Sequence, residues 1–489
     1  MGAAVPLNRL LKDFVSVAES VPITGLTEDS GRIQPGMAFF ALAGAKRHGL
    51  SFALEAQAKG ASVIIYEPEG GDIPKGASIP CIPVPRLREK LGEIASRFYG
   101  NPSESLEIIG ITGTNGKTSC SFYLAQALED CAVMGTLGWG RPDQLQPSQH
   151  TTPPALELQR RLAFFKENGV NAVAMEVSSH ALSQGRVNGV KVDQAIWTNL
   201  SRDHLDYHGT LEDYLAAKQK MLAVPGLSVA VINVDDPAFS TFPQKTPIGV
   251  DLWGFSVEGK SAEFPVVRAT EIDFLPTHIR FLATFESEQA LVSAPLLGEF
   301  NLANLLAVLT LLRAQGISLT EGARRVQKIQ PVPGRMECFG GGDAPLVVVD
   351  YAHTPAALGT ALKSLRRHCQ GNLWLVFGCG GERDRGKRPE MGQVAERYAD
   401  QVIVTDDNPR GESEDQIIAD ILTGMVSKPL VIRDRAQAIS QAITQATPKD
   451  VILVAGKGHE DYQEVNGQRL AFSDQVVVRQ LIRGEAACV

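Results

Sequence analysis

Long hydrophobic runs are missing from this 489-residue chain. None approaches the roughly 18 consecutive apolar residues of a membrane-crossing helix. Met1 to Phe14 has no basic stretch leading into a continuous apolar segment, so neither export nor a membrane span is expected. Cysteine is scarce and unpatterned, with seven residues at Cys81, Cys120, Cys131, Cys338, Cys369, Cys379 and Cys488. An odd number without a C-x-x-C pair argues against a disulfide frame or a zinc site and for reduced thiols, which suits the cytoplasm. Long Lys/Arg runs are also absent, and the formal net charge is −8. That balance argues against nucleic acid or an anionic membrane as the main partner, so any anionic ligand must be held by local cations.

What is there is ordinary for a globular enzyme: 44% hydrophobic and 21% charged residues, in a length that predicts about three domains. The most informative stretch is Gly110-Ile111-Thr112-Gly113-Thr114-Asn115-Gly116-Lys117-Thr118. Apolar Glu107 to Ile111 reads as a buried strand and Ser119 to Leu128 as a helix, so a glycine-rich loop joins strand to helix. Backbone N–H groups of such a loop bind polyphosphate oxygens; Lys117 would reach the outer phosphates and the Thr118 hydroxyl would ligate Mg²⁺. The usual pattern wants a glycine where Ile111 stands.

The first hundred residues predict a small α/β unit. Its strands are Met37 to Leu42 and Ala61 to Tyr66, with a helix over Ser51 to Lys59 closed by Gly60. Loops at Asp29-Ser30-Gly31-Arg32 and Lys46-Arg47-His48-Gly49 supply hydroxyl and cationic groups. Asn-Pro at Asn101-Pro102 ends this unit. In the next segment two strands, Asn171 to Met175 and Gln194 to Thr198, deliver polar clusters to their carboxyl ends. One is Glu176-Val177-Ser178-Ser179-His180; the other runs from Asn199 through Asp203, His204 and Asp206 to His208. In a doubly wound sheet that edge binds ligands. Carboxylate and imidazole beside Thr118 suit an Mg²⁺-nucleotide site. A helix from Leu211 to Ala223 carries Lys218, which in isolation reads as solvent-facing, and Ala262 to Pro295 alternates like antiparallel hairpins. Asn301, at the start of an apolar helix, reads as a cap.

After the Pro/Gly-rich junction Pro331-Val332-Pro333-Gly334-Arg335, four strands each lead into a polar loop: Asp350 to Pro355, Gly378 to Arg385, Asp406 to Arg410, and Ala455 to Asp461. Helices separate the strands, which predicts a second open sheet with its functional loops on one edge.

Taken together, Thr112 to Thr118, Glu176 to His180, Asn199 to His208, Asp350 to Pro355, Asp407 to Arg410 and Gly456 to Glu460 occur in the order of the Mur ligase motifs. The chain resembles that family over nearly its whole length, and especially its members that add the third residue of the peptidoglycan peptide. The short loop with Ile111 is shared by the family. The resemblance implies an α/β protein of three domains: 1–105 for the UDP end of the substrate, 106–330 for ATP, with a P-loop ATPase-like sheet and an antiparallel edge, and a Rossmann-like 331–489 for the incoming amino acid. It implies ATP and Mg²⁺, the substrates UDP-MurNAc-L-Ala-D-Glu and meso-2,6-diaminopimelate, and a monomer.

By the same resemblance, Gly113, Thr114, Asn115, Gly116, Lys117 and Thr118 bind ATP, together with Asn301, Arg335, Asp350 and His353. Thr118, Glu176, His204 and Lys218 hold metal, Lys218 as a carbamate. Lys117, Glu176, His204 and Lys218 are then the catalytic set. Ser30, Thr151, Thr152, Ser178, Gln184 and Arg186 line the UDP-substrate, although Asp29-Ser30-Gly31-Arg32 has one glycine more than the family pattern. Arg383, Asp407, Asn408, Pro409, Arg410, Gly456 and Glu460 take diaminopimelate, with Arg410 on its distal carboxylate and Glu460 available to the distal ammonium. L-Lysine as the added residue, another ligase of the superfamily, and a non-catalytic relative are the alternatives.

Overall fold

The computed structural model describes residues 4–17, 21–44 and 47–483. Lys46 and Cys488 lie outside the described residues; the other six cysteines are free thiols. The chain packs as two compact units, Met1–Trp253 and Gly254–Val489. Among the described residues, no helix is long and apolar enough to cross a membrane.

The first unit contains a short antiparallel pair, Val5–Pro6 with Pro22–Ile23, and two larger sheets. Gly25–Thr27, Met37–Ala41, Val63–Tyr66 and Cys81–Pro83 form a parallel sheet in chain order. The predicted helix after Met37–Ala41 splits into a 3₁₀ turn, Gly49–Phe52, and a short α-helix, Ala53–Ala58. The amphipathic helix Leu87–Phe98 buries Leu87, Leu91 and Ile94 in a core with Phe40 and Ile65. Burying one such side chain contributes about 1.5–3 kcal/mol.

The second sheet of this unit runs Val229–Asn233, Gln194–Trp197, Glu107–Thr112, Ala172–Glu176, Cys131–Gly135, Gly138–Gly140. All pairings are parallel except the last. Register places Glu176 beside Ile111 and Trp197 beside Thr112, so three strands deliver their loops to one edge.

In the second unit, Val266–Leu275, His278–Phe285 and Glu288–Ala294 form the expected antiparallel meander. Helix Glu299–Ala314 follows with Gly298 at its N-cap, so Asn301 lies inside the helix rather than capping it. A six-stranded sheet follows, ordered Glu337–Gly340, Leu346–Asp350, Val451–Ala455, Leu373–Phe377, Gln401–Val404, Leu430–Val431. It is parallel except for its first pair.

Period-two alternation explains why both faces of this sheet are covered. Leu373, Leu375 and Phe377 pack with Leu358, Leu362, Met391 and Ile421. Trp374 and Val376 point the other way, onto Ala438, Ile439 and Val478. The polar loops leave from the carboxyl ends, as the doubly wound pattern requires. Beyond them, Tyr462–Val465 and Gln468–Ala471 form a hairpin. Asn466 and Gly467 turn it with φ of 48° and 76°, as a two-residue Asn-Gly turn should.

Candidate active site

In the first unit the loop 113–116 joins Glu107–Thr112 to helix Lys117–Ala127. Its shape is held from outside. Thr114 N–H donates to the Asn199 carbonyl at 2.8 Å, and Asn115 N–H to Asn199 Oδ1 at 3.0 Å. Lys117 Nζ folds back onto the carbonyls of Gly113 and Thr114, both at 2.8 Å. Gly116 is the left-handed N-cap, and Thr118 is buried in the first turn.

Lys218 is buried, not solvent-facing. It is 1% exposed, donates to the Gly113 carbonyl at 2.8 Å and lies 4.4 Å from the Tyr214 ring centroid. Burial, reinforced by the Lys117 charge, lowers its ammonium to about 6. Tyr214, one turn earlier on the same helix, reaches Thr114 Oγ1 at 3.3 Å. The sequence reading gave Tyr214 no role, though the i, i+4 spacing to Lys218 placed the two on one helix face.

Glu176 is fully buried and accepts from Thr136 N–H at 2.9 Å and Thr136 Oγ1 at 3.1 Å. Among the described residues it makes no ion pair, so its charge is met by neutral donors alone. Gly135 makes room for it, since a Cβ there would sit 2.0 Å from Glu176 Oε1. Thr151 Oγ1 lies 3.0 Å from Thr136 Oγ1. Thr152 Oγ1 donates to the Glu176 carbonyl and accepts from Ser178 N–H. Arg186 ties the Thr152 carbonyl at 2.8 Å to the Gln184 amide oxygen at 2.7 and 2.9 Å. Five of the six expected UDP-substrate residues thus form one connected network. Ser30 stands apart, donating to Glu55 at 3.1 Å. A cavity of about 180 Å³ brings Gln184 and Arg186 together with Glu28 and Arg88, two residues the sequence reading did not single out.

His204, left-handed at φ 54°, packs 4.8 Å from His180 and sits 3.4 Å from Asp203. Burial, then the charges of neighbouring histidines, holds His180 and His208 below the usual histidine range. Among the described residues, no three His, Cys, Asp or Glu side chains form a ready-made metal cage. Mg²⁺ needs none: it binds through one or two carboxylates and completes its shell with water and substrate phosphates. A buried carboxylate facing only neutral donors, a threonine hydroxyl and a neutral amine that can become a carbamate fit such an ion.

In the second unit Asp350 accepts from Met336 N–H and Ala352 N–H, and burial raises its carboxyl against the pull of Arg335. Arg335 stacks 4.8 Å from the Tyr351 ring, which also meets His353 at 4.6 Å and His459 at 5.2 Å. Arg335 Nε and His459 Nδ1 are buried without a hydrogen-bond partner among the described residues, and burial lowers the His459 imidazole to about 4. Asn301 Nδ2 donates at 2.9 Å to the carbonyl of Leu297, which lies just before the N-cap of the helix.

The loop 407–410 is fixed by its neighbours. Asn408 Nδ2 donates to Glu460 Oε2 at 2.8 Å, and its Oδ1 accepts from Lys457 Nζ and Glu464 N–H, both at 2.9 Å. Gln463 donates to the Asp407 carbonyl at 2.7 Å, and Gly381 N–H to Asn408 O at 2.9 Å. Gly456, at φ 117°, lets Asp407 approach, since a Cβ there would lie 2.6 Å from its Oδ2. Arg410 follows Pro409 with a left-handed φ of 54°, which costs of order 1–3 kcal/mol. The surroundings enforce it: Arg410 N–H donates to Glu464 O, Asn466 N–H to Arg410 O, and Arg410 Nη1 to Gly381 O at 2.8 Å. Arg383 is exposed on the adjacent loop.

Models of three parts of one family match this chain: a Mur ligase catalytic domain over 22–99, the middle domain over 111–312, and the glutamate ligase domain over 334–458. The chain belongs to the Mur ligase family. It is 46% identical, across 98% of its length and 99% of the relative's, to the UDP-N-acetylmuramoyl-L-alanyl-D-glutamate–2,6-diaminopimelate ligase of Alkalilimnicola ehrlichii. The protein of that name from Xanthomonas campestris pv. campestris is 48% identical over 99% of this chain and 98% of its own. A solved structure of a ligase so named superposes with a TM-score of 0.75 at 37% identity, covering 98% of this chain and 99% of that one. The mixed α/β architecture with several parallel sheets is that of this family of three-domain ligases.

Proposed function

We propose that this chain joins meso-2,6-diaminopimelate to UDP-MurNAc-L-Ala-D-Glu at the expense of ATP, a step of peptidoglycan precursor synthesis. The observation that carries the reading is the end-to-end likeness to ligases named for that reaction, 46–48% identical over 98–99% of this chain. Loop 113–118, Glu176 and Lys218, gathered at one sheet edge, supply the phosphate chemistry that the likeness requires. The family matches also support the division into 1–105, 106–330 and 331–489.

A carboxylate is a poor electrophile, and direct attack by an amine would have to expel oxide. Transfer of the ATP γ-phosphoryl group to the substrate carboxylate gives an acyl phosphate; the amine adds to its carbonyl, and phosphate leaves as the amide forms. The loop N–H groups that Asn199 leaves free, with Lys117, hold the phosphates while charge migrates toward the bridging oxygen. Mg²⁺, held by Thr118, Glu176, His204 and the Lys218 carbamate, would offset repulsion between the phosphate and carboxylate anions. Thr151, Thr152, Ser178, Gln184, Arg186 and Ser30 orient the muramoyl-peptide nucleotide, and for Asn301, Arg335, Asp350 and His353 the role is nucleotide contact. Arg383, Asp407, Asn408, Pro409, Gly456 and Glu460 shape the amino-acid site, where the Arg410 fork suits the distal carboxylate.

The test is product formation and ADP release with the UDP-dipeptide and a panel of amino acids. Turnover should require both substrates and favour meso-diaminopimelate. A preference for L-lysine would overturn the specificity, and no amide formed with any amino acid would overturn the ligase.

A further inference from the structure

One residue supplies both hydrogen bonds to the Glu176 carboxylate. Thr136 stands just past the strand Cys131–Gly135, and the pairing of Met134 with Met175 brings that strand end level with Glu176. Its backbone N–H donates to Oε1 at 2.9 Å and its hydroxyl to Oε2 at 3.1 Å, and no other donor reaches the carboxylate among the described residues. The same hydroxyl lies 3.0 Å from Thr151 Oγ1. An ionised carboxylate only accepts, so the Thr136 proton is committed to Glu176 and the Thr136 oxygen must accept from Thr151. The result is a directed chain, Thr151 O–H to Thr136 O–H to Glu176. It starts at the residue next to Thr152 and ends on a fully buried charge.

We propose that Thr136 is a positioning residue, which sets both oxygens of Glu176 toward a divalent cation and transmits to that carboxylate the state of the Thr151 hydroxyl. The proposal rests on the Mg²⁺ role given to Glu176 above and deepens it, by making the metal carboxylate and a substrate-side threonine one hydrogen-bonded unit. Thr136 fills two of the roughly four acceptor positions of a carboxylate, which leaves each oxygen with one open to a cation. The backbone bond holds Oε1 whatever side chain stands at position 136. Only the hydroxyl holds Oε2, and without it the carboxylate is free to turn about its last torsion. Partners that orient a metal ligand in this way typically carry about ten- to a hundredfold in metal affinity. Thr151 acts one bond further out and through Thr136 alone, because bonds in a chain polarise one another. The linkage is reciprocal: a cation that draws on the Glu176 charge relaxes the pull on Thr136 and so on Thr151.

Mn²⁺, titrated onto nucleotide-free protein in bicarbonate buffer and read by electron paramagnetic resonance, tests this without turnover. Thr136→Val keeps the backbone N–H and the shape of the side chain but removes the hydroxyl, and it should weaken Mn²⁺ binding by about tenfold or more. Thr136→Ala, which is smaller and cannot clash, should do the same. Thr136→Ser restores the hydroxyl and should return the affinity to within about threefold of wild type. Thr151→Val, with no substrate present, should weaken Mn²⁺ by about two- to fivefold, and should have no further effect once Thr136→Val is in place. Wild-type Mn²⁺ affinity in Thr136→Val and Thr136→Ala overturns the positioning. So does a Thr136→Ser protein as weak as Thr136→Ala, since the loss would then belong to packing rather than to the hydroxyl. A Thr151→Val effect that is absent, or equal with and without Thr136→Val, overturns the transmission. Glu176→Gln binding Mn²⁺ as tightly as wild type fails the metal role underneath and the proposal with it, a result distinct from the others.

Discussion

Replacing Lys218 by methionine separates the amine from the space it fills. With the ammonium lowered from 10.5 to about 6, roughly nine in ten of these amines are unprotonated at neutral pH, against about one in three thousand for a solvated lysine. Only the free amine has the lone pair that adds CO₂, so burial raises the reactive fraction by roughly three orders of magnitude. The same shift costs stability, with a fixed sign. Between about pH 6 and 10.5 the unfolded chain holds a proton here that the folded chain does not, so stability rises with pH across that window. The limiting slope is about 1.4 kcal/mol per pH unit; below the window the penalty is constant, and above it the penalty vanishes.

Methionine carries no charge to desolvate, and Lys117 still donates to the Gly113 carbonyl in the variant. Near neutral pH, Lys218→Met should therefore be the more stable protein in CO₂-free buffer, by about 3–5 kcal/mol once a lost hydrogen bond is deducted. Denaturant titrations of both proteins at several pH values read this directly. The advantage should shrink by up to about 1.4 kcal/mol per unit as pH rises toward 9. A stability difference independent of pH would refute the claim that the folded protein holds this amine neutral. The same variant should be nearly inactive, and labelled bicarbonate should give a carbamate NMR signal in wild type that it lacks.

Three further outcomes follow from the geometry. Lys117→Ala should keep its circular dichroism and lose product formation by at least about a hundredfold, since on the proposed reading it removes a phosphate contact rather than core; near-normal turnover would take Lys117 out of the site. Gly135→Ala puts a methyl 2.0 Å from Glu176 Oε1, so the carboxylate must move and the Mg²⁺ needed for half-maximal rate should rise at least about tenfold. An unchanged Mg²⁺ dependence would detach Glu176 from the metal. Arg410→Ala should cut diaminopimelate use by at least about tenfold with the KM for ATP and UDP-dipeptide nearly unchanged; equal losses in all three would mean that the loop, not the fork, had failed.

Strand ends were legible because apolar runs such as Leu373 to Phe377 stop where polar loops begin, and burial on both faces forces that pattern. Lys218 was not legible from periodicity: its helix, Leu211–Gln219, scatters polar and apolar residues around its circumference, and Leu211 is exposed while Lys218 is buried. Only motif resemblance placed the lysine inside, and Tyr214 stayed invisible because an aromatic at that spacing is ordinary helix packing. The hairpin after Asp461 was passed over despite its Asn466-Gly467 turn. Its strands are too short and polar to alternate, and Gln468–Ala471 is exposed throughout. Glu464 was missed with it, since nothing local marks a glutamate whose partner lies 54 positions earlier (464 − 410).

What rigidifies the strand-end loops proposed to take the amino acid is a set of cations that composition cannot reveal. Arg388, fully buried, ties Glu412 at 3.0 Å and Asp420 at 2.8 Å to the carbonyl of Gly380. Arg435 holds Asp474 through two nitrogens, both at 2.7 Å, and reaches the Ala455 carbonyl at 2.9 Å. Lys457 holds Asn408 and Glu460. Each sits under a different strand-end loop, and together they fix the three loops that meet around Arg410. Buried pairs of this kind are weak stabilisers, because desolvation offsets most of their attraction, yet breaking one strands a charge and costs about 3–5 kcal/mol. Their effect is therefore on geometry. A guanidinium held by Gly381 O and Glu464 does not have to search rotamers when a carboxylate arrives, so little ordering cost is charged against recognition. The strained backbone of Arg410 is affordable on the same ground, since the loops around it have no softer arrangement to relax into.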